Sequence, residues 1–271
     1  MRLGSGGQRR FDDAQKASCV QSRMPGTAAP SYRLMRKGSI MHLASVKPAI
    51  SSRCVGCVAR ARSVCAAFSP EAAREFDRLA RPITLARGET LVWEDDDTLL
   101  VGFVTSGVLK LTASLVDGRE QILGLAGTGD VVGRPFGTRS SYSVTALGPV
   151  RLCVLGRPAF EQFAAAHPEV EHALLLRALD ELDRARRWML LLGRKSAGER
   201  VASLLVEFAE RSPGDDVAFP LTRQQMGDLL GLSIETVSRE LTKLRGAGLI
   251  TLTDLRHFRV EDEACLRRRA A

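Results

Sequence analysis

Residues 221–245 read LTRQQMGDLLGLSIETVSRELTKLR, and this stretch decides the architecture. Thr222 followed three residues later by Gln225 is a capping box, so a helix begins there. Gly231 supplies a left-handed residue that ends it, and Ser233 is a natural cap for a second helix. Gly227 is small at the point where the second helix has to pack closely. Two short helices joined by a glycine turn predict a helix-turn-helix. In the second helix Ile234, Val237, Leu241 and Leu244 recur at helical spacing and are expected to face the core. Glu235, Ser238 and Arg239 stand at i, i+3 and i+4 near its amino end. Glu can accept from cytosine N4, Arg can bind guanine O6 and N7 together, and Ser is an adaptable third contact. Thr236 and Arg223 are counted with them as DNA-contacting residues. The plainer alternative is a solvated face with a Glu235–Arg239 ion pair. The helix-turn-helix context favours DNA, because a recognition helix presents such residues in the major groove. Beyond it, 249–253 and 258–261 flank Asp254-Leu255-Arg256-His257 like a short hairpin, a wing beside the helices.

Upstream the hydrophobic period changes twice. From 82 to 155 short stretches rich in Val, Leu and Thr are punctuated by Gly88, Ser106-Gly107, Asp117-Gly118 and Gly129-Asp130. Regular turns between short β-prone runs predict an antiparallel sandwich or roll. Asp117-Gly118 marks the clearest hairpin, with both residues suited to positive φ. From 168 to 194 the pattern becomes helical. Leu175, Ala178, Leu182, Ala185, Met189 and Leu192 follow a 3-4-3-4-3 spacing with charged residues between them, which suits a two-stranded coiled coil. An amphipathic helix lying on its own domain is the alternative. A further helix over 197–211 ends at Ser212-Pro213-Gly214.

The chain has 271 residues and a net charge of +8. That length suits about two domains, and 45% hydrophobic residues supply packed cores. The charge is uneven. Residues 1–45 carry eight Lys/Arg against two Asp/Glu, 46–220 carry 22 of each, and 221–271 carry nine against seven. Residues 1–45 therefore read as a disordered basic tail, or as an over-long start ahead of Met41. The sequence-level division is 1–45, a cysteine segment plus β-roll over 46–168, a dimerisation helix over 169–194, and a winged helix-turn-helix over 195–271. No uncharged apolar run approaches the roughly 18 residues of a membrane span, and MRLGSGGQRR lacks the apolar core of a secretory signal. A cytoplasmic location is expected, where thiols stay reduced. No glycine-rich nucleotide loop is present, and His42, His167, His172 and His257 form no triad with a nucleophile, so an enzyme is not expected.

Six cysteines then need a role. Cys54, Cys57 and Cys65 read Cys-x2-Cys-x7-Cys among Arg53, Arg60 and Arg62, which favour thiolates. Cys19 falls in the tail and Cys265 beyond the wing, and both read as incidental. Cys153 falls in a β-prone stretch and by itself reads as a small buried residue. Three thiols ask for a fourth ligand, and spacing alone does not separate zinc from an iron–sulfur cluster.

The order of cysteine cluster, β-roll, long helix and a helix-turn-helix bearing Glu235-Thr-Val-Ser-Arg239 resembles the CRP/FNR family of bacterial transcription regulators. The resemblance spans about residues 50–262 and includes Trp188-Met-Leu-Leu-Leu-Gly-Arg-Lys-Ser-Ala-Gly-Glu-Arg200. It is nearest to the FNR-type oxygen sensors, whose longer-gapped FnrL-like branch fits the seven residues between Cys57 and Cys65. It implies an α+β fold with an N-terminal β-roll, a dimerisation helix and a C-terminal winged helix-turn-helix. It also implies a [4Fe–4S] cluster on Cys54, Cys57, Cys65 and Cys153, promoting Cys153 from core residue to ligand. The implied partners are a second copy of the chain, double-stranded DNA carrying a TTGAT-N4-ATCAA-like palindrome, and RNA polymerase. The turn at Asp117-Gly118-Arg119 would meet the polymerase. Oxygen would dismantle the cluster and dissolve the dimer. Relatives that bind cyclic AMP use a Gly-Glu turn and an Arg-Ser pair; here Gly133-Arg134-Pro135-Phe136 and Ser140 stand instead, so a cyclic nucleotide is not expected. The competing reading is a family member that answers nitric oxide or a small ligand, its cysteines holding zinc or inert.

Overall fold

The computed structural model describes residues 53–271 apart from 55, 213 and 215. The basic segment 1–45 and Cys19 lie outside the described residues. The described chain opens with two 3-10 turns, Arg60–Arg62 and Val64–Ala67, and helix α1, Pro70–Leu79. Eight strands follow: β1 Arg81–Leu85, β2 Thr90–Val92, β3 Leu100–Ser106, β4 Leu109–Ser114, β5 Glu120–Ala126, β6 Val131–Gly133, β7 Ser143–Ala146 and β8 Val150–Gly156. They form two antiparallel four-stranded sheets, ordered β1-β8-β3-β6 and β2-β7-β4-β5. Side chains alternate between faces along a strand, and β8 shows what that does here. Leu152 and Val154 point into the roll with Val104 and Val144, while Cys153 and Leu155 point outward to the helices.

The turns largely follow the sequence. Gly88, Gly107, Gly118 and Gly129 all have positive φ. At the β4–β5 tip, however, Asp117 keeps a negative φ, and only Gly118 is left-handed. Leu115 N–H donates to Arg119 O at 2.8 Å, so the loop between them has three residues. A three-residue loop needs one left-handed position, not two.

Helix α2, Arg157–Ala166, covers the outer face of the first sheet, and α3, Pro168–Arg194, runs 27 residues from it. The long helix has two unlike sides. Val170, Ala173, Leu174, Trp188, Leu191 and Leu192 pack on the protein's own cores. Leu175, Leu182 and Met189 are 58%, 45% and 73% exposed, and Ala178 and Ala185 are exposed with them. Leu192, expected on the same open stripe, turns inward to the DNA-reading lobe, while Leu176, Leu179 and Leu190 widen the exposed band.

Helix α4, Ala197–Arg211, starts with a full capping box of Ser196 and Glu199. Strand β9, Asp216–Ala218, then α5, Arg223–Leu230, and α6, Ile234–Gly246, lead into β10, Ile250–Leu252, and β11, His257–Val260. The wing is a three-stranded sheet, β10-β11-β9, because β9 adds to the far edge of the expected hairpin. Helix α7, Glu263–Ala270, closes the chain against α4. Among the described residues no helix is long and apolar enough to cross a membrane.

The β-roll and the C-terminal lobe share packing. Ile122 of β5 is buried among Leu229, Leu230 and the rest of the C-terminal core, and Gln121 Nε2 donates to Leu229 O at 3.4 Å.

Candidate cysteine centre and DNA-reading face

The four cysteines come from two places, and the fold brings them to one. Cys54, Cys57 and Cys65 lie on the loop before α1, and Cys153 lies mid-β8, opposite Pro82 of β1 and Phe103 of β3. All four line one cavity of about 20 Å³, together with Phe76, Phe103, Arg60 and Ser63. The loop is held by specific contacts. Arg53 donates through Nε to Asp77 Oδ1 at 3.0 Å and through Nη2 to Asp77 O at 2.9 Å. Arg60 Nη2 donates to Phe68 O at 3.1 Å. Phe68 packs tilted against Phe76 and edge-on against Phe163, at 5.2 and 5.5 Å between centroids, setting the loop's end in an aromatic cluster.

Burial pushes the Cys54 thiol up to about 12, with Asp77 and the other thiols adding to it. Burial likewise pushes Cys65 up to about 11, opposed by a hydrogen bond from Ser63 and by the Arg60 charge. Cys153 is also raised, chiefly by burial. Burial here outweighs the arginines that the sequence suggested would favour thiolates, and a positively charged metal centre would offset that cost by stabilising the thiolates. The donor chemistry therefore fits an iron–sulfur cluster. The space does not yet: about 20 Å³ holds roughly one water. Among the described residues no three His, Cys, Asp or Glu side chains converge tightly enough for a single metal ion. Seating a cluster requires the loop to move outward, and it lies at the surface, with Val58 86% exposed. Cys265 sits apart, in the first turn of α7.

The loop also touches α3. The turn Val64–Ala67, which contains Cys65, packs on that helix, and Val64 and Phe68 share a core with Val170, Ala173 and Leu174. Arg177 of α3 donates from Nη2 to the Arg62 carbonyl of the loop. Gly129 presses on the same peptide: a Cβ there would lie 2.4 Å from Arg62 O.

At the other end the helix-turn-helix forms as the sequence predicts. Thr222 and Gln225 make both bonds of the capping box, Gly231 is left-handed at φ 63°, and Ser233 Oγ accepts from Thr236 N–H at 3.2 Å. A Cβ at Gly227 would stand 2.4 Å from Leu232 O, so the turn passes directly over it. Glu235, Ser238 and Arg239 are exposed on one face of α6, and Thr242, Lys243 and Arg245 extend it. Glu235 is held below the usual carboxylate range by its own backbone N–H at the helix start and by the Ser233 hydroxyl, so it stays an acceptor.

Two details differ from the sequence reading, and the ion pair of its alternative does not form. Ile234 is 40% exposed, and Glu240 takes the buried place beside Val237, Leu241 and Leu244. Arg239 pairs with Glu240 at 3.7 Å and Thr236 Oγ1 at 3.5 Å, with no Glu235–Arg239 bridge. Arg223 is half-buried, its guanidinium over Met226 Sδ at 3.7 Å, and burial lowers its pKa. Sequence patterning missed Glu240 because a charged residue on a helix reads as solvent-facing.

The Crp-like helix-turn-helix domain family matches residues 199–269, and the cyclic nucleotide-binding domain family matches residues 82–167. Among curated relatives, the transcriptional activator protein FnrL of Cereibacter sphaeroides is 40% identical over 228 residues, covering 81% of this chain and 92% of FnrL. The nitrogen fixation regulation protein FixK of Bradyrhizobium diazoefficiens is 38% identical over 204 residues, covering 73% and 86%. The solved structure of FixK2 from Bradyrhizobium japonicum superposes with a TM-score of 0.68 at 32% identity, over 71% of this chain and 98% of that one. These relatives are transcription regulators and not enzymes. With its roll, long helix and winged DNA-reading lobe, the chain belongs to the CRP/FNR family of DNA-binding transcription regulators.

Proposed function

We propose that this regulator is an oxygen-responsive activator that carries a [4Fe–4S] cluster on Cys54, Cys57, Cys65 and Cys153. The observation that carries the reading is the convergence of these four thiols, 87 residues of chain separating Cys65 from Cys153, on one cavity. A bound cluster would supply a redox-sensitive centre of iron and sulfide. The residues do the rest. Cys54, Cys57, Cys65 and Cys153 would hold the cluster and with it the loop against β8, and that loop supports α3 through Val64, Phe68 and the Arg177–Arg62 bond. The open stripe of Leu175, Ala178, Leu182, Ala185 and Met189 then pairs with that of a second copy. Shifting a two-state dimerisation from mostly off to mostly on takes about 5.5 kcal/mol, within the reach of metal–thiolate binding. The dimer presents two α6 helices to a TTGAT-N4-ATCAA-like palindrome, one per half-site. RNA polymerase meets the exposed tip at Val116-Asp117-Gly118-Arg119, where Val116 is fully open.

A cyclic nucleotide is not the signal in this reading. Where a phosphate clasp would lie, Ser140 is buried and donates to Tyr142 O at 2.6 Å, and Arg139 is tied to Asp95 O at 3.0 Å. The test is to purify the chain without oxygen, record its visible spectrum and iron and sulfide content, and then admit air. The expected result is a brown protein that bleaches as the dimer dissociates. A colourless zinc protein, or a brown one whose Cys153→Ser variant keeps its colour and its dimer, overturns the assignment. Bleaching by nitric oxide but not by oxygen moves the signal and keeps the site.

A further inference from the structure

We propose that Glu240 is a positioning residue for base reading, one carboxylate that aims Arg239 from beneath the recognition helix. This deepens the assignment of Arg239 to a DNA base. Glu240 is 6% exposed, although its neighbours Arg239 and Lys243 stand in solvent. Its Oε1 accepts from Lys243 Nζ at 2.8 Å and lies 3.7 Å from Arg239 Nε. Among the described residues it is the one acidic partner of either cation. Its other oxygen lies over the first turn of α4: a Cβ at Gly198 would meet Glu240 Oε2 and Arg269 Nη2, each at 3.2 Å. The carboxylate thus faces the positive end of α4 and the Arg269 guanidinium on one side. On the other it faces the two cations that α6 offers to DNA. A buried charge costs free energy unless it is paired, and here the polar groups near it, Arg239, Lys243, Arg269 and the start of α4, are all positive. The carboxylate sits where α6 packs on α4.

This arrangement makes a prediction that a purely structural role does not. Glu240→Gln keeps shape and size but removes the charge that restrains Arg239. A lost negative charge near the phosphates leaves sequence-independent binding equal or tighter. Base discrimination falls, because Arg239 is no longer held for its bidentate contact. The experiment uses the full chain prepared without oxygen and a duplex selected by the wild-type protein from a random pool. It measures affinity for that duplex and for one with its guanine pairs replaced. The expected result for Glu240→Gln is a specificity ratio reduced by about three- to tenfold, with non-specific affinity not reduced. In an Arg239→Ala background the same change has no further effect on the ratio, as a double-mutant cycle requires of coupled residues. Equal loss of both affinities with a lower melting temperature means Glu240 only holds the lobe together, and overturns the proposal. An unchanged ratio, or an additive loss in the Arg239→Ala background, overturns it too. A wild-type protein that selects no sequence refutes the base-reading role of α6 itself, a result distinct from failure at Glu240. If Glu240→Gln does not fold, Lys243→Met leaves the carboxylate on Arg239, and the proposal expects it to keep the ratio while weakening both duplexes; a reduced ratio counts against it.

Discussion

Replacing Arg177 by alanine tests how the cysteine loop speaks to the dimer helix. Arg177 lies on the inner side of α3 and donates to the Arg62 carbonyl, a peptide that Gly129 also abuts. A charged donor on a backbone carbonyl contributes about 1.5–3 kcal/mol when shielded. This contact is exposed, so solvent screening reduces it to about 0.5–1 kcal/mol, or roughly two- to fivefold in an equilibrium constant. On the proposed reading the bond forms only while the loop sits on the roll, so its loss should weaken the coupling between a bound cluster and the dimer by that factor. The assay is sedimentation equilibrium without oxygen, with iron and visible absorbance measured on the same samples. Arg177→Ala is expected to keep its chromophore and dimerise roughly two- to fivefold more weakly. Two results refute the reasoning: a fully loaded variant that dimerises like wild type, or an equal loss in a Cys153→Ser background, where there is no staple to transmit.

Leu182→Glu puts a charge into the open stripe of α3, so sedimentation should show a monomer with a melting temperature close to that of the wild-type monomer. Gly227→Ala adds a methyl against the Leu232 carbonyl and should cost about 2–3 kcal/mol in urea unfolding, despite alanine's helix preference. Gly246→Ala meets nothing within 4 Å and should be neutral or stabilising by up to about 1 kcal/mol in the same melts. Ile122→Ala should cost about 2–5 kcal/mol, and intrinsic fluorescence of Trp188, which packs on the same core, should report it.

The DNA-reading lobe was legible in the sequence because its signals are local. Thr222, Gln225, Gly227, Gly231 and Ser233 each act within a few residues, and each does the job its chemistry suggests. The long helix was legible by its period, but not which apolar residues face out. Leu192 turns inward because the lobe beneath it offers a core, which no period along a single helix reveals. Strand β9 was missed because three residues of mixed polarity carry no alternation, and its partner β11 lies about 40 residues away. Helices α1 and α2 were missed as well, although Ser69-Pro70 and Gly156-Pro158 mark their starts. For the cysteines, spacing grouped three of them, and only the resemblance drew in Cys153. The fold then places all four on one cavity through strand alternation in β8, where a shift of one residue would have sent the thiol into the roll.

Burial of Ile122 in the C-terminal core has a consequence for anyone recombining such regulators. A graft cut between α3 and α4 would separate a β5 side chain from the pocket on α5 that receives it. The transplanted reading head would carry an exposed hole, and the donor roll an orphaned isoleucine. Chimeras between relatives should therefore exchange the β4–β5 ribbon together with the helix-turn-helix, and those that do not should be recovered mainly as aggregate.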